Sequence, residues 1–409
     1  MTENMLDFPG VVGDGKNDDA PGLQALLDRK TASVYLPPPP VCYLIGSTLR
    51  IHSGQSLILD RHTVVRLADQ ANREMLTNSD HENGNRGITV IGGIWDGNNA
   101  NQTRMDLYAK KWTPENYIGV ALQFCNVNDL SVRSLTLKDP ESFGMQLGKI
   151  RQFTIDDITY DYNMFRRNMD GVHLNGLCSQ GRITNLKGTT NDDLVALNAD
   201  DAGGCEMTRG SITDIVVDSI FCEDGWTAVR LLSHGSPIRR IKLANIFGTY
   251  RYNVVSFTNH KVHPGEASTF EDISIDGVFC SKSLKGIVHQ PGPLWSGLAQ
   301  IWIDAPALVS KLTVRNYHRT ESLLPSDDIY IESGAKVENL VLDDISLVNR
   351  SKSPVNLFHN KGTVDSLSLI NVSAKSGGEA SGGCIVKNAG TISRLHQNNV
   401  AASGFDAGI

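Results

Sequence analysis

Val127-Asn128-Asp129-Leu130-Ser131-Val132-Arg133-Ser134-Leu135 places apolar residues at positions one, four, six and nine. The alternation at positions four and six is that of a strand with one buried face. The phrase returns as Ile150-Arg151-Gln152-Phe153-Thr154-Ile155-Asp156-Asp157-Ile158. It recurs at 212–220, 238–246, 270–278, 309–317, 337–345, 364–372 and, in weaker form, 392–400. From Ile212 onward the starts are separated by 26, 32, 39, 28, 27 and 28 residues. A fixed phrase recurring at that period signals stacked repeats. Copies are followed by turn residues and a second strand-like run, such as Ala228-Val229-Arg230-Leu231-Leu232. Long amphipathic helices are nearly absent, which disfavours leucine-rich and helical repeats. Propeller blades need about 40 or more residues, longer than most copies here. The reading is an all-β, single-stranded parallel β-helix (a solenoid), one coil per copy, with coils ~4.8 Å apart.

A parallel solenoid has exposed ends that invite edge pairing, so a terminal cap is expected. Asp18-Asp19-Ala20-Pro21 opens the candidate, with acids near the positive end of the dipole and proline in the first turn. Leu23, Leu26 and Leu27 form its apolar stripe. The expected division is a cap and first coil over 1–60 and one continuous solenoid over 61–409. Pro37 to Pro40 cannot lie in a central strand.

Net charge −7 without a basic run gives no sign of nucleic-acid binding. No stretch approaches 18 consecutive apolar residues, so no membrane span is indicated. Met1-Thr2-Glu3-Asn4-Met5 lacks the basic and apolar parts of a signal peptide. Seven cysteines, at 42, 125, 178, 205, 222, 280 and 384, include no CxxC pair and read as buried free thiols. Together these favour a reducing, cytoplasmic setting, or a secreted or periplasmic one for a chain whose signal has been removed. No cofactor or metal is expected. Asp200-Asp201 lacks a full calcium-ligand pattern, and His260, His263 and His289 lack metal-ligand spacing.

Two further phrases carry chemistry. Asn168-Met169-Asp170-Gly171-Val172-His173-Leu174-Asn175 aligns on its apolar residues with Asn191-Asp192-Asp193-Leu194-Val195-Ala196-Leu197-Asn198. Val172 then matches Val195 and Leu174 matches Leu197, which sets Asp170 against Asp193 and Asn175 against Asn198. If the copies stack, Asp170, Asp192 and Asp193 converge, and paired carboxylates are what glycosidic bond hydrolysis uses.

Asn168-Met169-Asp170-Gly171 followed by Asp192-Asp193 resembles the NTDG and DD motifs of glycoside hydrolase family 28, the polygalacturonases. Gly13-Asp14-Gly15-Lys16-Asn17-Asp18-Asp19 is similar to the amino-terminal segment of many pectate-lyase-like right-handed β-helices, viral tailspikes among them. The resemblance implies an inverting mechanism on a carbohydrate substrate. In it Asp192 is the general acid, and Asp170 and Asp193 hold and deprotonate the attacking water. It also implies two later motifs, GHG and RIK, about one coil apart. Ser233-His234-Gly235 and Arg240-Ile241-Lys242 are present, but six residues from His234 to Arg240 are too few for a coil. The expected columns read Glu223-Asp224-Gly225-Trp226 and Val255-Ser256-Phe257 instead. The grip on a uronate carboxylate therefore departs from the family pattern.

The remaining candidates for holding substrate are Asn168, His173, Asn191, Asn198, Glu223, Asp224, Trp226 and Arg230. His173 lies between two core-facing residues and is expected to point outward beside Asp170. Trp226 is a candidate sugar platform, and Arg230 falls in the column of His173. Arg166, Arg167 and Lys149 are nearby cations. Trp112, Tyr117, Trp295 and Trp302 are candidate groove aromatics. Two alternatives stay open: a polysaccharide lyase using Arg230 and His173, and a non-catalytic carbohydrate-binding or tailspike-like β-helix.

Overall fold

The structure is a computed structural model that describes residues 8–108, 111–260, 265–283, 299–377 and 382–408. Trp295, His263 and His289 lie outside the described residues. The chain forms two compact units: residues up to Ala196 with Asp201–Gly210, and Leu197–Asp200 with Ser211 onward.

Each unit is built from parallel strands stacked coil on coil, and the fold is the right-handed parallel β-helix. In the first unit the strand Leu122–Lys138 pairs in parallel with Met145–Asp161. That strand pairs onward with Val172–Leu174 and Ser179–Thr189. The register carries the repeated phrase from coil to coil: Leu130 faces Phe153, Val132 faces Ile155, and Leu135 faces Ile158. In the second unit the fourth positions stack as Ile215, Ile241, Ile273, Leu312, Leu340, Leu367 and Leu395. All but the last, on the outermost strand, are fully buried. Each coil thus covers the apolar row of the next, and no coil is expected to be stable alone.

Backbone conformation explains how one phrase turns a corner. Position eight is left-handed in every copy: Ser134, Asp157, Ser219, Asn245, Gly277, Asn316, Asp344, Asn371 and Asn399, with φ between 51° and 83°. Short polar side chains and glycine tolerate that region best. The strand bends between the apolar residues at six and nine, so both still point inward.

The helix Ala20–Leu27 buries Leu23, Leu26 and Leu27 as the stripe predicts. Its leading acids act locally. The Ala20 N–H donates to Asp18 Oδ1, while the Asp19 carboxylate accepts from the N–H groups of Val12, Gly13 and Leu44. Gln24 performs the capping: its amide donates to the Arg50 carbonyl at 3.2 Å and accepts the Arg50 N–H at 2.7 Å. A side chain takes the place of a further strand beside Leu49–Ile51. All seven cysteines are free, and six are buried. No helix among the described residues is long and apolar enough to cross a membrane.

Candidate active site

Three aspartates converge in the first unit. One carboxylate oxygen from each of Asp170, Asp192 and Asp193 lies within 4.8 Å of the other two. Stacking produces the cluster. The Met145 N–H donates to the Gly171 carbonyl, and the Gly171 N–H to the Asp193 carbonyl, each at 2.9 Å. Gly171 is required by this approach, because a Cβ there would meet the Leu194 carbonyl oxygen at 2.4 Å. Asp170 and Asp193 are 1% and 2% exposed, whereas Asp192 is half-buried. Asp192 is therefore the most exposed of the three.

The two asparagines hold the turns that present these acids. Asn168 adopts φ 58° and its Nδ2 donates to Asp192 Oδ2 at 3.3 Å. Asn191 Oδ1 accepts the Met169 N–H at 3.3 Å, and its Nδ2 donates to the Arg166 carbonyl. The Asp170 carbonyl accepts from Tyr162 Oη and from the Gly144 N–H, which fixes the loop ahead of Val172.

His173 departs from expectation. It points away from the coil interior, yet it is 1% exposed. Phe143 stacks on its ring, with centroids 3.9 Å apart, and the Asp201 carboxylate closes its far side. Nδ1 lies 2.7 Å from Asp170 Oδ2 and Nε2 lies 2.9 Å from Asp201 Oδ2. Burial pushes the imidazole pKa down, but hydrogen bonds and charge from Asp170 and Asp201 outweigh it and hold the value up to about 9. At neutral pH the ring is an imidazolium between two carboxylates. It orients Asp170 and offsets its charge.

Asp201 and Phe143 are functional neighbours that periodicity did not reveal. Phe143 directly precedes Gly144, which bonds the Asp170 carbonyl, so the strand register contains the signal. Asp201 comes from a loop, where alternation is silent. Its position is fixed by its own N–H, which donates to Glu206 Oε2 at 2.9 Å.

The cations named beside this site are engaged elsewhere or exposed. Arg166 pairs with buried Glu141 at 2.5 Å and donates to the carbonyls of Asn99 and Gln102. Arg167 is exposed, and its carbonyl accepts from Arg104. Three carboxylates at this spacing are also an oxygen-only donor set of the kind a hard divalent cation takes.

The other candidates belong to the second unit. Asn198 is fully buried. Glu223 is exposed, and Asp224 accepts from Ser283 Oγ and, through its backbone N–H, donates to Thr249 Oγ1. Trp226 lies parallel to Tyr252 at 4.9 Å, with the Arg251 guanidinium 5.8 Å from its ring. Arg230 Nη1 lies 3.5 Å from His260 Nε2. His234 is fully buried, and its N–H donates to Asp200 Oδ2 at 2.6 Å. Arg240 forms a two-point ion pair with Asp214, at 2.6 and 2.8 Å, beside buried Ile241. Both literal tripeptides thus serve local structure.

Comparison with known proteins falls on the same residues. The family described as "Glycosyl hydrolases family 28" matches residues 68–211. An exopolygalacturonase of Arabidopsis thaliana (clone GBGA483) is 24% identical over 248 residues, 58% of this chain and 51% of its own length. The match therefore spans about half of that relative. A family 28 exopolygalacturonase of Yersinia enterocolitica superimposes with a TM-score of 0.55 at 12% identity, covering 98% of this chain and 78% of its own. PfbA, a surface adhesin of Streptococcus pneumoniae, gives 0.56 at 13% identity, covering 98% and 90%. At such identities the two structures speak for the fold alone. The stretch matched by the family 28 model, residues 68–211, is the one that holds Asn168, Asp170, Asp192 and Asp193, and the chain is similar to that family there.

Proposed function

We propose that the protein hydrolyses glycosidic bonds in a polysaccharide or its oligosaccharides, as a polygalacturonase-like glycosidase. The observation that carries this reading is the carboxylate cluster, which falls inside the family 28 segment. Asp192, the half-buried member, protonates the leaving oxygen. Asp170 and Asp193 hold a water molecule and take its proton as it attacks the anomeric carbon. His173 keeps Asp170 in place from behind. Each step needs only proton transfer and positioning by residues already assembled.

The family resemblance, rather than the spacing, supports inversion. Carboxyl groups in inverting pairs usually stand ~6.5–9.5 Å apart and in retaining pairs ~5–5.5 Å. Here the nearest oxygens are within 4.8 Å. Proton NMR of the first-formed anomer decides: the inverted anomer is expected, and initial retention would make one aspartate a nucleophile. The exopolygalacturonase relative makes terminal release from a galacturonan the first activity to assay. Digestion of a glycan library with product sizing tests the whole reading, since turnover of no member would remove it.

Two observations weigh against the lyase alternative. His173 has both ring nitrogens committed to carboxylates, and an imidazolium is no base for a C5 proton. Arg230, its proposed partner, is placed beside His260. An unsaturated product absorbing in the ultraviolet would reverse this judgement.

A further inference from the structure

The first unit carries a second concave surface, away from the aspartates. Lys149 and Arg151 lie four and six residues past Met145, the residue paired with Val172. Arg151 and Arg86 are each paired in register with Asn128 on the strand between them. These coils enclose a groove of about 520 Å³ lined by Arg86, Asn128, Lys149 and Arg151, with asparagines and serines at its rim.

Its lining is cationic. The protein carries a net charge of −7, yet three cations and no carboxylate line this groove. Among the described residues none of the three cations forms an ion pair, whereas Arg66, Arg166, Arg240, Arg315 and Arg319 all do. Arg151 spends one Nε contact on Gln180 at 3.4 Å, which leaves its terminal nitrogens for a ligand.

The rim amides sort into used and unused. Asn126 Nδ2 donates to the carbonyls of His81 and Glu82, and Asn85 Nδ2 donates to Ser53 and Ser79. These asparagines hold turns. Asn128 differs: it is half-buried, and its Oδ1 is shielded from solvent with no hydrogen-bond partner. A shielded acceptor without a donor is costly. The groove thus offers guanidinium forks for a carboxylate. No aromatic residue lines it, so base stacking of the kind used by single-stranded nucleic acids has no platform.

We propose that this groove is an auxiliary site for a uronate-bearing stretch of the polysaccharide, holding the polymer at a distance from the bond being cut. The choice of sugar rests on the hydrolase reading, and the site deepens it: the acidic substrate that the missing RIK column left unassigned is gripped here through Arg86, Lys149 and Arg151. Arg86 and Arg151 sit two coil steps apart, ~10 Å, a span that lets two carboxylates of one chain be held together.

Affinity electrophoresis of the full chain through gels containing polygalacturonate or neutral galactan tests this. Wild type should be retarded by polygalacturonate alone, and added salt should weaken the effect. Arg86→Gln/Arg151→Gln should weaken binding by about tenfold per arginine removed. Lys149→Gln, at an exposed position, should weaken it less and guards against misfolding of the double variant, which circular dichroism also checks. Equal retardation by galactan, or unchanged retardation of either variant, would overturn the proposal. So would displacement of the polymer by inorganic sulfate at equal charge concentration, which would reduce the groove to a simple anion site. Groove-dependent retardation without turnover would count against the hydrolase reading and leave the groove standing. Turnover without groove-dependent retardation would do the reverse.

Discussion

His173 sets how the candidate site responds to pH. Its imidazole is held up to about 9 against an ordinary value near 6.5, despite the opposing cost of burial. A raised folded-state value means the stabilisation is fully present below pH ~6.5 and is lost as pH rises through ~9. The melting temperature should therefore fall across that window. Asp201→Asn removes one of the two carboxylates, so the NMR titration midpoint of His173 should drop and alkaline inactivation should begin at lower pH. A midpoint unchanged by the substitution would show that Asp201 does not hold the ring. The aspartate trio was legible in the sequence because Asp170 and Asp193 occupy matched columns of two stacked phrases and Asp192 adjoins Asp193. The burial of His173 was not, because alternation tells which way a side chain leaves the coil and not what folds over it. Phe143 and the loop bearing Asp201 cover that outward face.

Among the elements, the corner at position eight of each phrase is the point of greatest constraint. Asn371 adopts φ 52° there. Asn371→Val should cost about 1–2 kcal/mol by forcing a branched side chain into the left-handed region, while Asn371→Gly should be tolerated. Urea unfolding of the two variants measures the difference, and equal midpoints would refute the corner argument. Gln24 makes a second element-scale claim. Gln24→Ala strips the amide from both backbone groups of Arg50 and should lower stability by about 1 kcal/mol. The inward strand rows were readable because apolar spacing alone defines them. The corners were harder to read, since Ser, Asp, Asn and Gly all serve there and only their shared backbone conformation unites them.

For the molecule as a whole, repetition made the β-helix evident and concealed its partition. The phrase recurs on both sides of the boundary at Ala196 and Ser211, so no change of period marks two compact units. The chemistry assigned to the first unit asks for no metal, although three carboxylates could hold one. Turnover should survive exhaustive chelation, and loss restored by a divalent cation would convert the aspartates from acid and base to ligands. The departures at the GHG and RIK columns also separate bond cleavage from sugar recognition. In the proposed reaction Asp192 delivers the proton that frees the leaving sugar. Reducing-end release from polygalacturonate by wild type and Asp192→Asn, with circular dichroism confirming the fold, measures this directly. A loss of about 100-fold or more is expected, the usual scale for removing a general acid. Wild-type turnover by a folded Asp192→Asn protein would contradict it.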